Sequence, residues 1–152
     1  MRKIRAEGLL IKLDTNGAFP SVRKDLVARG LVDYVAMDIK NSPSMYAQTC
    51  GIPYMDMGPI EESIQYLVSS HIPYELRTTV VSPLHDEESI LEMGKWLSEI
   101  SGPKKPEKLF LQGFVDRDTV AFSGLSAPDE AAMERYVSLL APYVEQVSVR
   151  SK

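Results

Sequence analysis

Cysteine and histidine are scarce: in 152 residues there is one cysteine, Cys50, and two histidines, His71 and His85. A lone cysteine closes no internal disulfide. Alone it holds neither an iron–sulfur cluster nor a structural zinc, which take several thiolates or imidazoles. The two histidines lie far apart and complete no ligand set. Excess positive charge is missing too. With a formal net charge of −4, nothing draws the chain as a whole to nucleic acid or to an anionic membrane. No apolar run is long enough to span a bilayer. The opening MRKIRAEGLLIKLD is basic, then apolar, but Lys12 and Asp14 interrupt it short of a signal-peptide core, so a cytoplasmic protein is expected. GxGxxG, P-loop, nucleophile-elbow and HExxH motifs are all absent, as are low-complexity segments and solenoid repeats.

What is present suits a globular core. Hydrophobic residues make up 44% and charged residues 25%, and the length fits one domain over residues 1–152. Apolar strand patterns alternate with helical ones. MRKIRAEG reads as a helix tail closed by Gly8. Leu9 to Leu13 reads as a strand, followed by the turn residues Asp14-Thr15-Asn16-Gly17. Pro20 opens a helix whose buried stripe is Val22, Leu26 and Val27, and Gly30 stops it. Val32 to Ile39 is the second strand, and Asn41 to Gly58 reads as an irregular loop of the length that often serves as a lid. A helix begins at Pro59 and buries Ile64, Leu67 and Val68. Tyr74 to Val81 is a β-branched strand. A helix over Asp86 to Ile100, a strand over Lys108 to Gln112, a polar loop from Gly113 to Pro128, a helix over Asp129 to Leu140 and a strand over Gln146 to Arg150 complete the order. Strands alternating with helices imply parallel pairing and right-handed crossovers. The expected fold is α/β: an incomplete parallel (β/α) barrel of about five strands with outer helices.

Polar residues gather at the strand ends, where α/β proteins build sites. Asp14 is either a ligand-facing carboxylate or an Asx-turn residue. Asp38 and Lys40 share a strand face, because the side-chain period is two, and form either a binding pair or a surface ion pair. Arg77 interrupts an apolar strand and needs a partner there. A ligand carboxylate matches its guanidinium fork; Glu75 or Asp38 would serve a purely structural role. Gln112 and Phe114 line the same region or fill it. His71 and His85 read as surface residues. Cys50, in a loop, is a bland free cysteine or a reactive thiol.

The order LDTNG, VDYVAMDIK, ELRTTVVSP, LFLQGF resembles the radical S-adenosylmethionine activating enzymes, the activators of glycyl radical enzymes. Within them it is similar to the pyruvate formate-lyase activating enzymes and, more closely, to the anaerobic ribonucleoside-triphosphate reductase activating proteins. The resemblance covers nearly the whole chain, from the family's third barrel strand onward. The family's CxxxCxxC cluster loop and GGEP-like motif are not in this sequence. The resemblance implies that Asp14 lies near the methionyl group of S-adenosylmethionine and forms a small-cation site with the backbone of Thr15 and Met37. It implies that Asp38 and Lys40 take the ribose or carboxylate, and that Arg77 serves the same pocket. Gln112-Gly113-Phe114 stands where the pyruvate formate-lyase branch has a histidine. The intact family uses S-adenosylmethionine and a [4Fe–4S] cluster to make a 5′-deoxyadenosyl radical, which abstracts hydrogen from a glycine of a partner protein. For this chain the resemblance implies positioning only, with no cluster and no cleavage. An exposed edge at Leu9 to Leu13 predicts pairing with another chain, such as a homodimer. Two other readings remain open: a Schiff-base lyase using Lys40, and a non-catalytic half barrel that binds a nucleoside or a protein.

Overall fold

The computed structural model describes residues 1–117, 120 and 122–151. In chain order the elements are α1 (Arg2–Ala6), β1 (Lys12–Thr15), α2 (Pro20–Ala28), β2 (Tyr34–Asp38), α3 (Pro43–Cys50), α4 (Gly58–Ser69), β3 (Tyr74–Val80), α5 (Glu87–Ser101), β4 (Lys108–Gly113), α6 (Glu130–Leu140) and β5 (Gln146–Val149). The five strands form one parallel sheet in the order β1-β2-β3-β4-β5. Each strand lies beside its predecessor, and the order never reverses. Right-handed crossovers in a sheet that never reverses put the connecting helices on one face. A doubly wound sheet would reverse and cover both faces. This sheet is therefore the wall of a barrel, the α/β partial barrel expected from the strand–helix alternation.

The helical face carries the core. Val35, Met37, Leu76, Leu109 and Leu111 point from the sheet towards Ile64, Leu67, Met93, Leu97 and Leu140, all buried. Burying each such side chain contributes about 1.5–3 kcal/mol. The helix α5 starts where Asp86 accepts from Ser89 N at 2.8 Å in a capping box, and it sets Ile90, Met93 and Leu97 inward at helical spacing.

Several local expectations are corrected. The run Leu9-Leu10 is not strand: the two residues are 58% and 84% exposed, and pairing begins at Lys12. Apolar character alone marks Leu9 to Leu13, but the ladder forms one step later, where Asp33 N–H reaches Ile11 O. In α2, Val22 is 57% exposed and Arg23 is buried instead, so the helix turns its polar residue inward. The stretch from Asn41 to Gly58 is not wholly irregular. Pro43 at a helix first turn starts α3, and Gly51, with φ of +72°, ends it in the left-handed region. His85 is not at the surface; it is buried. His71 is exposed. In the loop after β4, Asp118, Thr119 and Ala121 lie outside the described residues, and Ser126 bridges back to Ser82.

The face opposite the helices is polar. Parallel sheets are almost always covered on both sides, so a one-sided sheet with charges on its bare face is the inner wall of a barrel. These charges lie in two tiers. The tier nearer the strand starts centres on Glu75, which takes both guanidinium nitrogens of Arg150 (2.9 and 3.1 Å) and the Tyr34 hydroxyl (3.0 Å). Lys12 Nζ lies 3.5 Å from the same carboxylate, and the Arg150 guanidinium stacks 3.9 Å from the Phe110 ring centre.

Candidate functional site

The second tier sits at the carboxyl ends of β1 and β2 and beside the middle of β3. Register places Arg77 directly opposite Asp38. Arg77 donates to Asp38 Oδ1 from Nε at 3.1 Å, and its Nη2 lies 3.0 Å from the same oxygen as an ion pair. Its third nitrogen, Nη1, is 3.7 Å from Asp14 Oδ2. Lys40 Nζ is 3.9 Å from Asp38 Oδ2. The two carboxylates therefore converge on one guanidinium and open onto the same side of the sheet. Arg77 does not pair with Glu75, which is taken by the lower tier. Exposure differs along the cluster: the Arg77 side chain is 17% exposed, Asp38 38% and Asp14 62%. The outer carboxylates thus meet solvent while the central cation is sheltered.

Local chemistry frees Asp14 for this position. In Asp14-Thr15-Asn16-Gly17 the turn bonds come from its neighbours: Thr15 Oγ1 accepts from Gly17 N at 3.1 Å and Asn16 Oδ1 from Ala18 N at 3.0 Å. Ser63 Oγ of α4 donates to Gly17 O at 2.6 Å and fastens the loop to the helical layer. Asp14 faces Arg77 rather than closing the turn. Thr15 is paired in register with Met37, so the three residues proposed around a small cation are neighbours across β1 and β2.

Beside the cluster lies a cavity of about 480 Å³ bounded by the ends of β2, β3 and β4 and by the end of α3. Asp38, Lys40, Gln48 and Thr49 give it polar walls; Val81, Leu84, Phe114 and Phe122 give it apolar ones. Asp14, Arg77 and Gln112 stand outside it, so the charged tier borders the cavity instead of lining it throughout. Pockets of this size and mixed lining suit small organic ligands. Gly51 is favoured here by its φ of +72°, not by space: a Cβ on it would make an ordinary contact with the Phe122 ring at 3.4 Å. Residues of α3, Phe122 and His85 escaped sequence reasoning; the only signal for α3 was Ser42-Pro43, a helix start hidden among turn residues.

Cys50 is half-buried, and burial pushes its thiol up, against the opposing pull of Lys40. A reactive thiolate needs the reverse. The Lys40 side chain is 42% exposed, whereas activating an amine for Schiff-base chemistry relies on burial or a second cation. Burial, the largest influence on it, pushes the His85 imidazole below its ordinary value.

No family model matches the chain. Across 155 residues it is 26% identical to a protein of Methanocaldococcus jannaschii described as a "putative glycyl-radical enzyme activating enzyme". The alignment covers 99% of this chain and 62% of that protein, so the chain spans less than two thirds of the length of the curated relative it matches. Among solved structures it is similar to a domain of pyruvate-formate lyase-activating enzyme from Bacteroides vulgatus, with a TM-score of 0.74 and 18% identity, over 98% of this chain and 86% of that one. The structural likeness speaks to the fold. Together the two comparisons bear out the resemblance to the radical S-adenosylmethionine activating enzymes.

The residues present fit one cofactor of that family and not the other. Two carboxylates and two cations beside a half-apolar cavity match a zwitterionic nucleoside such as S-adenosylmethionine. A cluster needs several thiolates, and the sequence has one cysteine. Among the described residues, no helix is long and apolar enough to cross a membrane.

Proposed function

We propose that this chain forms the S-adenosylmethionine-positioning wall of a glycyl-radical-enzyme activating protein, as the C-terminal part of its barrel. The observation that carries the reading is the Asp14–Arg77–Asp38 triad with Lys40 beside the cavity. Four alternating charges are mutually neutralised. A ligand bearing both an amine and a carboxylate can exchange into that set without leaving any charge unpaired; a neutral nucleoside gains only hydrogen bonds. In this reading Asp14 faces the methionyl end and, with the backbone of Thr15 and Met37, a small cation. Asp38 and Lys40 take the ribose or carboxylate, and Arg77 holds both carboxylates in place. In the intact family the bound cofactors supply a radical for hydrogen abstraction; this chain's part is orientation and shelter from water. The cluster-bearing part of the barrel lies outside residues 1–152, the setting is cytoplasmic, and the protein substrate is a glycyl radical enzyme. The open edge of β1, flanked by exposed Leu9 and Leu10, pairs with a second copy or with that missing part. A clean monomer by light scattering at high concentration would refute the second copy.

The test is calorimetric titration with S-adenosylmethionine and with adenosine. Saturable binding of the first, weaker binding of the second and about a tenfold loss in Asp38→Asn are expected. No saturable binding of S-adenosylmethionine refutes the reading. A full [4Fe–4S] complement per chain after anaerobic reconstitution refutes the division of labour.

A further inference from the structure

Where β2 ends, its backbone leaves the ladder. Ile39 N–H still bonds to Arg77 O at 2.7 Å, but Lys40 has passed the last strand pairing. Its carbonyl is met by His85 Nε2 at 2.8 Å. The other ring nitrogen, Nδ1, lies 3.1 Å from Val81 N and 3.2 Å from Val81 O, and Val81 O already accepts the His85 backbone N–H at 2.9 Å. Val81 N–H finds no other acceptor among the described residues, whereas Val81 O is already served, so Nδ1 is assigned the lone pair and Nε2 the proton that Lys40 O accepts. The imidazole is a bar between the ends of β3 and β2.

A second bar runs the opposite way. Asn41, the residue after Lys40, donates Nδ2–H to Leu84 O at 2.8 Å, the residue before His85. Its amide also reaches Thr49 Oγ1 at 3.0 Å on α3, and its Oδ1 accepts from Ser42 N at 2.8 Å. Each loop thus lends one side chain to the other's backbone. Asn41 is fully buried and His85 2% exposed. Lys40, Thr49, Val81 and Leu84 are also cavity walls. Buried polar pairs seldom beat apolar packing for stability alone, and they specify one geometry when fully satisfied.

We propose that His85, as its neutral Nε2–H tautomer, and Asn41 are positioning residues that fix the Lys40 backbone, and through it the Lys40 and Asp38 side chains, at the mouth of the cavity. The inference rests on the proposed nucleoside reading for what is positioned, not for the staple itself.

Two variants of the whole chain separate positioning from general packing. His85→Gln keeps an amide donor where Nε2 stood; His85→Leu has none. Loss of one bond to a buried carbonyl should weaken S-adenosylmethionine about tenfold in His85→Leu and leave His85→Gln within about threefold of the parent. Affinities that are equal in all three proteins, or that fall equally in both variants, overturn the proposal. Nitrogen-15 spectra of the parent should show His85 as Nε2–H only; an Nδ1–H form also overturns it. If the parent binds no S-adenosylmethionine, the functional reading fails, and amide exchange then decides on the staple. Exchange at Asn41 and Ser42 should rise at least about tenfold in His85→Leu but not in His85→Gln, with β2 amides unchanged. No selective rise overturns it.

Discussion

Replacing Glu75 with glutamine removes one charge from the lower tier and keeps its shape. Burial alone would raise this carboxyl. The hydrogen bonds from Arg150 and Tyr34, with the charges of Lys12 and Arg150, outweigh burial and hold it at about 2 against an ordinary 4.5. At 1.36 kcal/mol per pH unit, that difference is about 3 kcal/mol of native stability at neutral pH. The side chain is only 5% exposed, so solvent screening discounts this little. The sign follows from the lower folded value: as pH falls below 4.5 the unfolded chain takes up the proton first, and the contribution fades until about pH 2. Urea unfolding followed by circular dichroism at several values between pH 7 and pH 2.5 measures this. Glu75→Gln should be about 3 kcal/mol less stable than the parent at neutral pH, and the gap should shrink to under about 1 kcal/mol near pH 2.5. Parallel curves, with the same gap at every pH, would refute the electrostatic account and leave only lost packing. No gap at pH 7 would show that Arg150 and Lys12 gain as much from water as from Glu75.

The guanidinium nitrogens of Arg23 are buried without an acceptor among the described residues; the guanidinium carbon lies 5.7 Å from the Tyr66 ring centre, and burial pushes the group's pKa down. Arg23→Met should therefore stabilise the fold by about 1–3 kcal/mol in urea, and a loss of stability would argue that an unseen acceptor meets the cation. Gly17 has φ of +77°, and a Cβ there would lie 2.1 Å from Met37 Cε. Gly17→Ala should cost about 1–2 kcal/mol from backbone strain alone, read as a Tm drop of a few degrees; an unchanged Tm would show that the DTNG loop relaxes freely. Because burial holds His85 below its ordinary 6.5, its contribution is complete above that pH and declines as pH falls through the lowered folded value. Unfolding curves between pH 8 and pH 5 should lose stability in the parent and not in His85→Gln; matching slopes would assign the acid limb elsewhere.

The strand–helix order was legible because it rests on long apolar periodicities. Ile90, Met93 and Leu97 recur at one spacing only, and the packing face of α5 follows. The clustering of the candidate site's charges was legible for a narrower reason. Asp38 and Arg77 lie on adjacent strands, and a period of two places them on the bare face once the register is known. Sequence could not choose between a ligand and a neighbour as partner of Arg77, since register is a long-range property. Errors fall where local propensity and burial disagree. Leu9 and Leu10 are apolar but lie beyond the ladder, and Arg23 is charged but faces a helix, so hydrophobicity misreads both. His85 was missed because its burial depends on a carbonyl 45 residues away.

Under the proposed reading, the two tiers also separate stability from recognition. Glu75 and Arg77 are two residues apart on β3 and face the same way, yet their surroundings differ. Glu75 has every oxygen engaged and almost no contact with solvent, so it cannot release Arg150 or Lys12 to a ligand without losing its own solvation twice over. Arg77 holds Asp38 closely but Asp14 only at 3.7 Å, and both carboxylates meet water. Those partners can be exchanged at small cost, as half-exposed ion pairs are worth about 1 kcal/mol or less. A fold that must accept a charged guest without loosening gains from keeping its rigid pairs one step below its exchangeable ones. Glu75→Gln should then change unfolding far more than ligand affinity, and Asp38→Asn the reverse. If both substitutions move both readouts together, the tiers are one network and the separation is false.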